Sequence, residues 1–353
     1  MPSITRRRCA GRRRSANAPA AASRRTVSRR SGTPSSAKCS PGMDSPAHAP
    51  TVSVLIGTRN RPRALAACIA SIQVQGFEDF EVVVLDDHSD RVDLAETVRA
   101  ANDGRIRLIR SERQLGVAGG RNLLMRQARG RYLVVIDDDA VFLDPSCVAT
   151  LVRDLDDNPG VGIVATHVVE PRGATAALLV PFTKAARRRD PGIVTRKQLV
   201  SYYVGTCHAM RKSAVETLGY YQDDLVYGAE ESDLSYRAAL RGIDILFEPA
   251  ARVEHRPERP VIDGSAGRRR GEVYYNIRNR IWLAYRYLPF PHIVSYIAVW
   301  SAYYAIAGLR GGHTLSYLRG WAGGWLGLRR LRRTPLGPRE TAALRQRHGR
   351  LWY

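Results

Sequence analysis

The chain has 353 residues, enough for one large or two small domains with an ample core, and its 44% hydrophobic content is ordinary for a globular protein. Its net charge of +22 is uneven: +11 over residues 1–42, which hold no acid, −2 over 43–260, and +13 over 261–353, where every Lys/Arg position is Arg. Five scattered cysteines without a CxxC argue against a disulfide framework or a zinc site and fit a reducing compartment.

Residues 1–42 are rich in Arg, Ser, Ala and Pro, lack an apolar stretch long enough for a secretory signal, and are expected to be disordered. Val52 to Ile56 is the first predicted strand, and Gly57-Thr58-Arg59-Asn60-Arg61-Pro62 the turn after it. Pro62 suits the first turn of a helix whose Leu65, Cys68, Ile69 and Ile72 form one apolar stripe. Phe80 to Leu85 is a second strand, ending in Asp86-Asp87-His88-Ser89-Asp90. A helix from about Asp93 to Ala101, a strand Ile106 to Ile109 and a helix opened by Gly116 follow. The fourth strand, Tyr132 to Ile136, is apolar without alternation, as in a parallel strand covered on both faces, and runs into Asp137-Asp138-Asp139. Strand and helix thus alternate four times, the pattern of a doubly wound parallel sheet.

The second half is more mixed. It predicts a helix from Asp144-Pro145 to Leu155, a strand Val161 to Thr166, an irregular stretch over 170–200, a strand Tyr202 to Met210 and a short helix Lys212 to Leu218. Glu230 to Arg241 reads as a helix closed by Gly242, with Asp233 and Arg237 an i, i+4 ion pair. Two short extended pieces, Ile245 to Phe247 and Arg252 to His255, follow. A helix from Glu272 to Leu288 precedes Ile293 to Leu309, 17 uncharged residues at the short limit for a bilayer span and equally suited to a buried or interfacial helix. Beyond Gly311 a loose tail is expected.

Carboxylate clusters at the ends of two parallel strands should face a common crevice, because open α/β sheets place their ligands at that edge. Three carboxylates in an apolar setting cost several kcal/mol unless paired. Hard oxygen ligands of this kind suit Mg²⁺ or Mn²⁺ held with a phosphate, although an acidic triplet alone is equally well a solvated turn. Gly116-Val117-Ala118-Gly119-Gly120 is spaced GxxGG rather than GxGxxG and follows the third strand, a poor fit to a nicotinamide enzyme. Glu230 and Glu231 lie at a helix start, which favours negative charge, either as a solvated first turn or as a functional pair.

Taken in order, Thr58-Arg59-Asn60-Arg61-Pro62, Asp86-Asp87-His88-Ser89, Gly116 to Asn122, Asp137-Asp138-Asp139, Gly228-Ala229-Glu230-Glu231-Ser232-Asp233-Leu234 and His255 resemble the family-2 inverting glycosyltransferases over roughly residues 50–290. The resemblance implies an α/β chain with the GT-A fold, a Rossmann-like mixed, mainly parallel sheet flanked by helices, with a helical C-terminal extension. It implies a basic leader over 1–48, a catalytic domain over 49–262, and an Arg- and aromatic-rich helical region over 263–353. The triplet looks like the family's DXD motif, so Asp139 and His255 are expected to hold a divalent metal, Mg²⁺ or Mn²⁺, with Asp137 and Asp138 beside the nucleotide. Thr58, Arg59, Asn60, Asp86 and Asp87 are expected at the nucleobase and ribose, and Gly116 and Arg121 at the donor phosphates or sugar. Glu231 is the expected general base with Glu230 beside it; the family usually has Glu-Asp here.

The implied activity is transfer of a sugar from a nucleoside-diphosphate sugar, UDP by default, to an acceptor hydroxyl of a glycan, glycolipid or other lipid-linked cell-envelope molecule. The cationic, aromatic C-terminal region suggests attachment to an anionic membrane surface at its cytoplasmic face. The rival from another class is a nucleic-acid- or anionic-surface-binding protein that uses its cationic ends and carries a degenerate transferase-like domain. It rests on charge alone, and the near-neutral middle of the chain argues against nucleic acid. A nucleotidyltransferase would normally show a glycine-rich signature directly after the first strand, and that turn has no glycine beyond Gly57.

Overall fold

The computed structural model describes residues 49–172, 175–257, 265–290 and 292–348. The expected leader over 1–48 lies outside them. The described residues belong to one compact unit.

The first half alternates strand and helix: β1 (Val52–Thr58), α1 (Pro62–Gln73), β2 (Phe80–Asp86), α2 (Leu94–Ala100), β3 (Ile106–Arg110), α3 (Gly116–Gln127) and β4 (Tyr132–Ile136). It continues with β5 (Ala140–Phe142), α4 (Cys147–Asp157), β6 (Val161–Arg172), β7 (Thr175–Leu179), α5 (Lys184–Arg189), β8 (Gln198–Val200), β9 (Cys207–Arg211), α6 (Lys212–Leu218), α7 (Glu230–Leu240) and β10 (Asp244–His255). Four helices close the chain: α8 (Ser265–Tyr287), α9 (His292–Arg310), α10 (Thr314–Gly327) and α11 (Pro338–Gln346).

The strands form one mixed sheet in the order β3-β2-β1-β4-β9-β6-β10-β5, with β7 on β6 and β8 on β10. β1 to β4 are mutually parallel, and β9 enters antiparallel to β4. The two faces of the parallel half are sorted by strand period. Val52, Val54, Ile56, Val82, Val84 and Val134 pack under α1 and α4, while Leu55, Val83, Leu85, Leu133 and Val135 pack under α3, α6 and α7. Both faces are covered, which is why these strands are continuously apolar. The stripe Leu65, Cys68, Ile69 and Ile72 on α1 is buried as its spacing requires.

Four expectations change. The stretch 170–200 is not irregular: β7 continues β6 as a hairpin, and α5 is capped by the Thr183 hydroxyl. These elements are too short to show periodicity. The two extended pieces near 250 are one strand, β10, whose register slips between Glu248 and Arg252, so Pro249 marks a bulge rather than an end. The strand expected from Tyr202 is confined to Cys207–Arg211. The C-terminal region is helical as expected, and α10 and α11 carry that helical structure to Gln346, into the stretch expected to end loosely. Gly320 and Gly324 in α10 lie against Tyr274 and Ile281 of α8, where a Cβ would collide, so these glycines permit close helix packing.

Candidate active site

The crevice forms where the parallel strands end. Thr58 and Asp86 are register partners at the ends of β1 and β2. The end of β4 leads directly to Asp137, whose N–H donates to Thr206 O at 2.8 Å. β5 then pairs with β10, placing His255 opposite Ala140, and Arg256 N–H donates to Asp139 O at 2.7 Å. This pairing joins His255 to the triplet across more than a hundred residues.

Each acid of the triplet has a different partner. Asp137 accepts from Arg121 Nη2 at 3.0 Å. It lies on the crevice floor: protein surrounds it closely enough for burial to raise its pKa, yet 36% of its side chain reaches solvent. Asp138 is buried and meets Arg61 Nη1 at 3.0 Å, and burial pushes its pKa up to about 7. Asp139 Oδ2 accepts from the same Nη1 at 2.6 Å, while its Oδ1 faces His255 Nε2 at 3.4 Å. His255 Nδ1 meets Glu170 Oε2 at 3.1 Å, which holds the imidazole with Nε2 toward Asp139.

The nucleotide-side candidates build one rim of the crevice. Asn60, at φ +56°, donates to Asp90 and receives the Asp90 N–H, tying the turn after β1 to the turn after β2. Arg59 reaches Gln114 at 2.9 Å. Asp86 is buried and accepts from Ser89 N–H at 2.8 Å. Asp87 accepts from the N–H groups of Leu115 and Gly116 at 2.6 and 3.0 Å, so it anchors the start of α3. Gly116 has φ +72°, where a side chain would be strained.

Arg121 links the two halves of the site. Its Nη1 donates to Glu231 Oε1 at 3.0 Å, and its Nη2 donates to Asp137 and to Gly205 O. Glu230 is buried, and burial together with the neighbouring Glu231 raises its pKa to about 8. Beneath them a buried chain of hydroxyls and imidazole runs Tyr203–Tyr221–His208, with OH to OH 3.0 Å and OH to Nε2 3.2 Å.

The acid pair is presented by a strained segment. Val226, Gly228 and Ala229 have φ of +59°, +74° and +76°. Positive φ at a valine and an alanine costs about 1–3 kcal/mol each and persists only where surrounding contacts hold it. Asn279 of α8 supplies these contacts by donating to the carbonyls of Leu225, Tyr227 and Gly228. Asp233, one turn into α7 and fully buried, is held by Arg237, by Arg286 at 3.5 Å and by the Tyr287 hydroxyl at 2.7 Å. The C-terminal region is thus a structural part of this site.

The triplet, His255, Arg121 and the acid pair all come together; Arg59, Asn60, Asp86 and Asp87 form the flank. Sequence reasoning gave no role to Arg61, although it lies in a quoted motif, and missed Glu170, Gly205 and Asn279. Among these, only Arg61 carried a local signal. Among the described residues no group of three or more His, Cys, Asp or Glu is arranged to hold a metal. Asp139 and His255 would be the two protein ligands of such an ion, and the Arg61 guanidinium now sits on the same carboxylate. That set fits Mg²⁺ or Mn²⁺, ions that take few protein ligands and complete their shell with water and phosphate oxygens.

Residues 53–219 match the profile of the family described as Glycosyl transferase family 2. A Campylobacter jejuni protein named GalNAc(5)-diNAcBac-PP-undecaprenol beta-1,3-glucosyltransferase is 26% identical over 185 residues, 51% of this chain and 57% of that protein. The chain spans from 24% to 57% of the length of curated relatives it matches. Among solved structures, the mannosyltransferase PcManGT from Pyrobaculum calidifontis, in complex with GDP-Man and Mn2+, superposes with TM-score 0.52 at 20% identity, over 85% of this chain and 80% of that one. S. aureus TarS 1-349 in complex with UDP-GlcNAc superposes with TM-score 0.55 at 16% identity, over 79% and 80%. In its motifs in order, its sheet and this profile match, which covers just under half of its length, the chain is similar to glycosyltransferase family 2, and it has the GT-A fold.

Proposed function

We propose that the protein is an inverting glycosyltransferase that moves a sugar from a nucleoside-diphosphate sugar to an acceptor hydroxyl of a lipid-linked cell-envelope glycan. The observation that carries this reading is Arg121, which bonds Asp137 on the donor side and Glu231 on the acceptor side across one crevice. Glu231 takes the proton of the acceptor hydroxyl as its oxygen bonds to the anomeric carbon from the face opposite the diphosphate. The anomeric C–O bond breaks, its electron pair leaves on the diphosphate, and the configuration inverts. Asp139 and His255 would hold Mg²⁺ or Mn²⁺, which when bound neutralises charge on the leaving diphosphate. Thr58, Arg59, Asn60, Asp86 and Asp87 line the side where the nucleobase and ribose, UDP by default, would lie.

The acceptor class follows from α9 and α10. α9 is 19 residues long and apolar enough to cross a membrane, yet only 17% of its apolar window is buried. Val294, Tyr303 and Leu309 on α9, with Leu315, Leu318 and Leu326 on α10, are exposed. Exposed large apolar side chains along two successive helices are the kind of surface that marks a protein or membrane contact. Arg310, Arg319, Arg329 and Arg330 accompany it, suiting an anionic lipid surface. Both helices pack on α8, which itself braces the acid pair, so a membrane on this side would bring a lipid-linked hydroxyl close to Glu231. The Campylobacter relative's name carries an undecaprenyl-linked substrate, in keeping with a lipid-linked acceptor.

The test is a thermal-shift screen of the full chain against UDP, dTDP, GDP and CDP with and without Mn²⁺, followed by Glu231→Gln. One diphosphate should raise the melting temperature, with Mn²⁺ and not without, in wild type and variant alike. Turnover should vanish only in the variant. No shift with any diphosphate would overturn the reading.

A further inference from the structure

Arg61 is the most heavily committed charge in the crevice that the proposed reaction does not use. One nitrogen, Nη1, lies 3.0 Å from Asp138 Oδ1 and 2.6 Å from Asp139 Oδ2. Its side chain is 19% exposed, and its Nε is buried without a hydrogen-bond partner. A structural arginine placed between two carboxylates would normally use its planar fork, one N–H pair to each acid. Here one corner, Nη1, serves both acids and the buried Nε has no hydrogen-bond partner, the geometry of a point cation rather than of a bidentate clamp. Asp139 divides its oxygens between two cations or cation ligands, Oδ1 toward His255 and Oδ2 toward Arg61.

We propose that Arg61 is a resident counter-cation that competes with the divalent ion for Asp139 and gives it up only when the donor's diphosphate arrives. The inference rests on the nucleotide-sugar reading of the site. A divalent ion alone gains Asp139 and His255 but must approach a guanidinium already seated on that carboxylate. With a diphosphate present, Arg61 has an anion to turn to. It stands just before α1, on a flexible stem whose one fixed hydrogen-bonding group is the tip. Ion and nucleotide then bind cooperatively, each tightening the other by the same factor. Arg61 is a positioning residue in this scheme; it sets the order of assembly and keeps two adjacent carboxylates neutralised until the donor is in place.

The experiment measures free Mn²⁺ by its EPR signal in titrations of the full-length protein, alone and with UDP or GDP, for wild type, Arg61→Met and Arg61→Lys. Wild type should bind Mn²⁺ alone weakly and at least tenfold more tightly with the preferred diphosphate. R61M should bind Mn²⁺ alone about tenfold more tightly than wild type, and its gain from the diphosphate should shrink by the same factor. R61K, which keeps the charge, should stay close to wild type. If R61M leaves Asp138 unpaired and does not fold, the double variant R61M/D138N removes that carboxylate and should show the same tight binding of Mn²⁺ alone. Normal cooperativity with unchanged affinity for Mn²⁺ alone in the neutral variants would overturn the role of Arg61 and spare the donor site. Absence of cooperativity in wild type with UDP and GDP, and then with dTDP and CDP, would overturn the nucleotide-sugar reading and this inference together.

Discussion

Gly205 offers the sharpest test of how the base is positioned. It lies between β8 and β9, and its carbonyl accepts from Arg121 Nη2 at 2.9 Å. A Cβ added there would overlap Glu231 Oε1, lie 2.9 Å from Glu231 Cδ and 3.2 Å from Arg121 Nη1. Non-bonded carbons sit comfortably at about 3.5–4.0 Å, so in Gly205→Ala the carboxylate must retreat by about 1 Å. The obstacle is the tip of a flexible side chain and not backbone, so the fold should survive. Loss of one charged hydrogen bond costs about 1.5–3 kcal/mol, and replacing a glycine returns about 0.4–1 kcal/mol through the unfolded chain. The net is about 1–2 kcal/mol, a fall of a few degrees in melting temperature. Misplacement of a catalytic group by about 1 Å costs roughly a hundredfold in rate. Turnover at saturating donor and acceptor should therefore drop about a hundredfold, while diphosphate affinity, which the proposed function assigns to the Asp137–Asp139 side of the crevice, stays within a few fold. A variant with kcat within threefold of wild type would refute the idea that the Gly205–Glu231 contact places the base.

Three further outcomes are expected. Glu230 keeps its proton in the folded chain up to about pH 8, whereas its ordinary value is 4.5, so the folded state binds the extra proton between these limits and loses stability as pH rises through them. Glu230→Gln should gain melting temperature relative to wild type from pH 5 to pH 9, measured by scanning calorimetry; a constant difference would contradict the assigned protonation. Asp233→Ala leaves Arg237 and Arg286 facing a buried gap and should cost about 3–5 kcal/mol in urea unfolding, whereas Tyr287→Phe, losing one hydrogen bond, should cost about 1–2 kcal/mol. Equal effects would show that α8 does not brace α7 through this carboxylate. Replacing exposed Leu309, Leu315 and Leu326 together by Glu should cut sedimentation with anionic vesicles at least tenfold and leave the melting temperature within about a degree, since each apolar side chain contributes roughly 1.5–3 kcal/mol when buried in lipid. Undiminished sedimentation would move the membrane contact away from α9 and α10.

Much of this protein was determined locally. The unbroken apolar runs of β1, β2 and β4, the helical stripe of Leu65, Cys68, Ile69 and Ile72, and the carboxylates at strand ends are properties of neighbours in sequence, and they dictate a two-faced parallel sheet with an acidic edge. The i, i+4 pairing of Asp233 with Arg237 and the turn at Gly242 are likewise local. Tertiary structure decided what the acids face. Arg61 reaches Asp139 across 78 positions, Arg121 reaches Glu231 across 110, and Glu170 holds His255 across 85. It also decided that 170–200 is a hairpin and helix, because β7 exists only by pairing with β6, and that the glycines of α10 are contact points, because α8 lies over them. Side-chain pairing between distant segments depends on where the folded sheet and helices place them, and one-dimensional periodicity carries no record of that distance. The acidic residues were legible because carboxylates at an apolar strand's end are locally anomalous; which acid each arginine meets was not, because Arg61 or Arg121 looks the same in sequence whether it meets solvent or a buried carboxylate.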